Sequence, residues 1–166
     1  MKKIPWIIFG SMLLFAILYV TRTVGDLPPL VASHFDANGY PDAYMTRSLY
    51  TKFALGMSVG LPIAVVALLT VVYSNAKDMK LPNRDYWLAP ERIAQTRSLL
   101  VNYAVWFGSM MVAMACYVHW LQLGAHRSAP PHLSDQLIGG GLIAFLLITF
   151  GWIAALLSAF RLPRNI

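Results

Sequence analysis

Four histidines and seven carboxylates are the groups through which this chain could do acid–base or metal chemistry. His34, Asp36 and Asp42 lie close together, and a histidine beside two carboxylates has the donor set for a zinc ion or a general base. His119, His126 and His132 lie far along the chain but are predicted on the same side of it. A metal site joining His34 to His119, or to Asp36 or Asp42, is therefore one expectation, and a membrane-embedded metal-dependent enzyme would follow from it. The spacing matches no established zinc signature. The competing expectation is that these groups serve as turn, cap and hydrogen-bond partners, with no catalytic residue and no cofactor.

The chain around His34 is rich in residue-specific turn chemistry. Asp26 or Leu27 before Pro28 suits the start of a short helix. Val31 to Phe35 reads as extended. Asn38-Gly39 tolerates positive φ and predicts a tight turn, and Pro41 keeps Tyr40 out of the helical region. Asp42 is placed to cap a following helix. At about thirty residues the segment is long for a simple connection, and long ordered loops tend to be functional.

What positions these residues is legible from hydropathy. Hydrophobic residues make up 58% of the 166, charged residues only 12%, and mean hydropathy is +0.58. Soluble domains carry about 25% charged residues, so a soluble fold is excluded, as is a disordered chain. Four stretches lack any Asp, Glu, Lys or Arg: Ile4–Val20, Phe53–Tyr73, Leu99–Leu121 and Leu137–Phe160. Each approaches the roughly 20 residues needed to cross a hydrocarbon core as a helix, and each is too long for a barrel strand. The first run has no small-x-small cleavage site after it and is expected to be an uncleaved anchor.

Charge sets the expected orientation. Lys2, Lys3, Lys77, Lys80, Arg84, Arg92, Arg97, Arg161 and Arg164 fall on one side with three acids, while the other side balances four bases against four acids. The whole net charge of +6 thus lies on one face. The positive-inside rule places both termini and the middle loop in the cytoplasm. The lipid bilayer accounts for the basic face, and no nucleic-acid partner is implied.

The expected fold is an all-α integral membrane protein forming a single membrane domain over residues 1–166. Four transmembrane helices (about 4–20, 53–73, 99–121 and 137–160) form a bundle with an ordered external loop 21–52, a cytoplasmic loop 74–98 and a second external loop 122–136. Gly56 and Gly60 form a G-x-x-x-G that would let helices pack closely, within the bundle or in a homo-oligomer. Pro62 follows and would kink the helix. In the middle loop, Pro90 and Glu91 suit the first turn of a helix, and Tyr86 and Trp87 suit an interfacial anchor. Arg84, Asp85, Glu91 and Arg92 are candidates for pairing. The spans carry no acidic or basic side chain other than His119, which argues against ion-coupled transport by a single chain.

Two blocks carry a family resemblance. Leu27-Pro28 through His34, Asn38-Gly39 and Pro41-Asp42 resembles the signature of a bacterial domain of unknown function found in SdpI-like membrane proteins. Asn83-Arg84-Asp85-Tyr86-Trp87-Leu88-Ala89-Pro90-Glu91-Arg92 is similar to a second block in short members of that group. The resemblance implies a bacterial inner-membrane location and places His34, Gly39 and Asp42 in a shared external element. A characterised relative protects its producer from a secreted membrane-active toxin and sequesters a repressor at the membrane. Envelope recognition, peptide immunity or signalling through the external loop is thus the expected function. A membrane-active peptide or a membrane protein is the expected partner. A structural subunit of a membrane complex is the remaining alternative.

Overall fold

The computed structural model describes residues 3–75 and 81–161. Lys2, Lys77, Asp78, Lys80 and Arg164, which enter the charge count, lie outside the described residues. The elements are α1 (Ile4–Thr23), a hairpin of β1 (Leu30–Phe35) and β2 (Pro41–Thr46), and α2 (Arg47–Ser74). A short turn α3 (Arg84–Trp87), the long α4 (Ile93–Ala125) and α5 (Asp135–Ala159) follow. The helices α1, α2, α4 and α5 are each long and apolar enough to cross a membrane, which makes this a multi-pass membrane protein by length and composition.

The helices are longer than the charge-free runs that forecast them. Absence of charge marks what hydrocarbon can hold, whereas the helix continues as far as its backbone is capped. Thr46 caps α2 by accepting from the Leu49 N–H at 3.3 Å, so Arg47 and Lys52 already lie in helix. Asp42 does not cap this helix as expected, because β2 carries the chain four residues further before the turn. Pro28 likewise starts no helix: a 3-10 turn at Val24–Asp26 ends α1, and the chain then runs extended. Pro90 and Glu91 also fall short of a helix, which begins at Ile93.

The all-α expectation fails at the loop between α1 and α2, which is a two-stranded antiparallel sheet. Leu30 pairs with Thr46, Val31 with Met45 and Ala32 with Tyr44, with irregular register from Ala32 to Phe35. Its tip is the expected turn. Gly39 has φ of 78°, a conformation glycine adopts without strain. Asp36 accepts from the backbone N–H groups of Asn38 at 2.8 Å and Tyr40 at 2.9 Å. The Tyr40 N–H holds the Asp36 carboxyl below the usual carboxylate range.

The helices share less of a bundle than expected. Helix α4 is central, packing on α1 and α2 around Phe9, Ala16, Val66, Val101, Val105 and Val112. Gly108 permits this approach, since a Cβ there would come within 2.5 Å of Val66. Helix α5 instead lies along α4 with no buried residue. Aromatic groups hold it there: the Tyr117 hydroxyl donates to the Leu137 carbonyl at 2.6 Å, and the Trp152 indole to Tyr103 at 3.2 Å. Gly141, over which the Tyr117 ring lies, is the close-packing member of its glycine triplet.

Gly56 and Gly60 do not serve helix packing within the chain, because a Cβ at either would meet nothing within 4 Å. They bound a π turn, closed by the Leu61 N–H on the Gly56 carbonyl. Pro62 lacks an N–H for the preceding turn, and the wider turn accommodates that break instead of a simple kink.

Candidate functional site

The residues singled out around His34 do not converge with His119. His34 Nδ1 bonds Asp42 Oδ1 at 2.6 Å across the hairpin, with side chains 70% and 49% exposed. Asp36 is occupied by its own turn. Among the described residues no three His, Cys, Asp or Glu side chains group as a metal site. The pairing of His34 with His119 as metal ligands is therefore not met by the geometry.

His119 instead sits at the centre of a buried relay. The Thr23 hydroxyl donates its single proton to the Tyr19 carbonyl at 2.7 Å. Toward His119 Nε2, 2.8 Å away, it must then accept, which places the imidazole proton on Nε2. Nδ1 is left as an acceptor and takes the Tyr50 hydroxyl at 2.8 Å. Both ring nitrogens are used, and an uncharged imidazole ties α1, α2 and α4 together.

Gln122 and His126 continue along the same face of α4, three and seven residues beyond His119, and both reach the backbone of Ala32. The Ala32 N–H donates to His126 Nε2 at 3.1 Å, while His126 Nδ1 donates to the Gln122 carbonyl at 2.9 Å. The Gln122 amide donates to the Ala32 carbonyl. Together the two side chains do for the outer edge of β1 what a third strand would do. His132 acts on the tip, donating to the Asn38 carbonyl at 3.2 Å beside the Tyr40 ring. The Leu133 N–H donates to the Gly39 carbonyl at 2.9 Å. A Cβ on Gly39 would run into the Leu133 carbonyl oxygen, so this residue must be glycine for close approach as well as for φ. Beneath the hairpin, Val20, Leu27, Val31, Tyr50 and Ala54 form a second apolar core.

The clamp encloses a cavity of about 330 Å³ between hairpin, α2 and α4. Four methionines line it, Met45, Met57, Met111 and Met114, with Phe145 of α5 at one side. Ser33, Tyr50, His119 and Gln122 supply its polar wall. Met57, within the π turn, and Leu61, just after it, both line the cavity.

At the opposite end, the Asn83–Arg92 block caps α5. Asn83, itself left-handed at φ 53°, donates from Nδ2 to the Phe160 carbonyl at 2.8 Å. The Trp87 indole donates to the same oxygen at 2.9 Å. The Thr96 hydroxyl donates to the Trp87 carbonyl at 2.7 Å, fixing the turn to α4. Arg92 lies over the Tyr86 ring at 4.0 Å and pairs with Glu91 at 3.1 Å. Trp87 is thus a partner of the α5 helix end.

The histidine clamp was missed by reasoning on His34 alone. The available signal was the spacing of His119, Gln122 and His126, which places them on one helical face. The sequence matches no family model, no curated protein and no solved structure.

Proposed function

We propose that this protein is a non-enzymatic bacterial inner-membrane protein whose hairpin faces outward and recognises a membrane-active peptide or another envelope component. The observation carrying this reading is the division of labour across the hairpin. Val31 packs into the core beside Tyr50 and the Ala32 backbone is bonded to the end of α4, whereas Leu30, His34, Asp42 and Tyr44 are exposed. A rigid, half-polar face carrying an aromatic ring suits recognition at a membrane surface. The outward orientation is supported by the excess of basic residues at the opposite end. The resemblance of the His34, Gly39 and Asp42 segment to SdpI-like proteins points to peptide immunity or signalling as the biological context.

The test is tolerance of cells to a panel of membrane-active peptides, comparing a deletion strain complemented with wild type, Asp42→Ala or Tyr44→Ala. Loss of tolerance to at least one peptide in the deletion, restored by wild type but not by either variant, is the expected result. Unchanged tolerance across the panel refutes the proposal. Labelling of Asn38→Cys in a Cys116→Ser background by an impermeant reagent on intact spheroplasts tests the orientation separately.

A further inference from the structure

We infer that the cavity beneath the hairpin binds the single hydrocarbon chain of an uncharged, hydroxyl-bearing amphiphile drawn from the membrane. This inference goes beyond recognition by the outer hairpin face and uses different residues. The cavity volume of about 330 Å³ falls at the small end of ligand sites. It is roughly ten times the share of one water molecule, which suits one chain and not two. Its rim shows which solvent it meets. Phe53, Met57, Leu61 and Val118 are all at least 40% exposed, and they lie on helices apolar enough to cross a membrane. The opening therefore faces hydrocarbon. Methionine side chains repack around irregular apolar shapes, and four of them border this space.

Apolar area alone gives no preference over bulk lipid, because lipid tails are as apolar as the lining. Selectivity resides in the polar wall. No Asp, Glu, Lys or Arg lines the cavity, so a charged head would enter without a counter-charge. The Tyr50 hydroxyl and His119 Nε2–H are already committed, as is the bonded Gln122 amide. Gln122 Oε1 and the exposed Ser33 hydroxyl at the rim remain without a partner among the described residues. The head that completes Gln122 Oε1 must donate a hydrogen bond, and a neutral hydroxyl does so.

The full chain in phosphatidylcholine nanodiscs is photolabelled with diazirine-bearing dodecanol, dodecyl sulfate or dodecyltrimethylammonium, and labelled peptides are mapped by mass spectrometry. Dodecanol is expected to label the Met111–Met114 segment about fivefold more than either charged probe, the preference one net hydrogen bond gives. Ala115→Trp, which fills the cavity, should remove that preference while leaving labelling of the exposed α5 face unchanged. Hydrogen-exchange protection of the Ala32 amide reports that the hairpin stays docked, and Val118→Trp blocks the rim with the same expectation. Equal labelling by all three probes overturns the inference. So does dodecanol labelling that persists in both tryptophan variants. Neither result touches peptide tolerance, so the two readings fail separately.

Discussion

Replacing Tyr50 by phenylalanine removes one hydroxyl from the buried relay and nothing else. Tyr50 is 6% exposed and His119 2%, so bulk water does not reach Nδ1 directly when the hydroxyl is removed. Leaving a buried acceptor unpaired costs roughly 1–3 kcal/mol. Interhelical hydrogen bonds within membranes reach a measured net worth of at most about 1.7 kcal/mol. The ranges overlap, and Tyr50→Phe should cost about 1–1.5 kcal/mol. His119→Leu should cost more, because it unpairs the Tyr50 hydroxyl and also removes the link to Thr23. The double variant should cost scarcely more than His119→Leu alone, since the bond broken by Tyr50→Phe no longer exists there. That leaves a coupling of about 1 kcal/mol in the double-mutant cycle. Reversible unfolding of the full chain in mixed micelles measures all four corners. Strict additivity, within about 0.3 kcal/mol, would mean that hydroxyl and imidazole do not interact and would sink the assignment of the His119 tautomer.

Gly39→Ala places a methyl against the Leu133 carbonyl at a positive φ and should undock the hairpin tip, read as faster exchange of the Leu133 amide. Gly108→Ala should destabilise by about 1–3 kcal/mol through overpacking against Val66 and Phe9, while Gly10→Ala, which meets open space, should be near neutral in the same unfolding assay. Because the Asp36 carboxyl is held below its ordinary range, its support of the turn is complete above that range. It is lost as pH falls through the lowered folded value. Protection of the Asn38 and Tyr40 amides, relative to their intrinsic exchange rates, should fall in acid, and Asp36→Asn should flatten that dependence.

Composition forecast the spans because charge in hydrocarbon is so costly that even a single count is informative. The same logic misplaced the ends. Lys52 sits in helix α2 and Arg97 in α4, at positions near span ends where long side chains reach water. The Asn38-Gly39 turn and the extended Val31–Phe35 were legible because local backbone preference decides them. The role of Asp42 was not, since capping and cross-strand pairing call for the same residue type and only the second strand, which was not foreseen, distinguishes them. The Gly56 and Gly60 motif read as a packing surface when its spacing instead brackets a π turn. That turn depends on Pro62, and the motif describes only which residues are small.

The histidines show why the hairpin and the helices explain each other. A two-stranded ribbon by itself is marginal in water, and its outer edge presents unpaired backbone groups. Polar side chains near the end of a membrane helix are equally in need of partners. The Ala32 backbone offers one donor and one acceptor, and α4 answers with His126 and Gln122. The four-residue spacing of those two side chains matches one turn of helix, so a straight helix can meet the backbone of a single strand residue without distortion. Helix α4 must therefore run past Leu121, where the apolar run ends, to Ala125. Ending it at the apolar boundary would take His126 out of reach and leave the Ala32 N–H bare. The length of α4 is set by the hairpin it holds, and the polar residues at its end are the means by which a loop becomes a fixed surface.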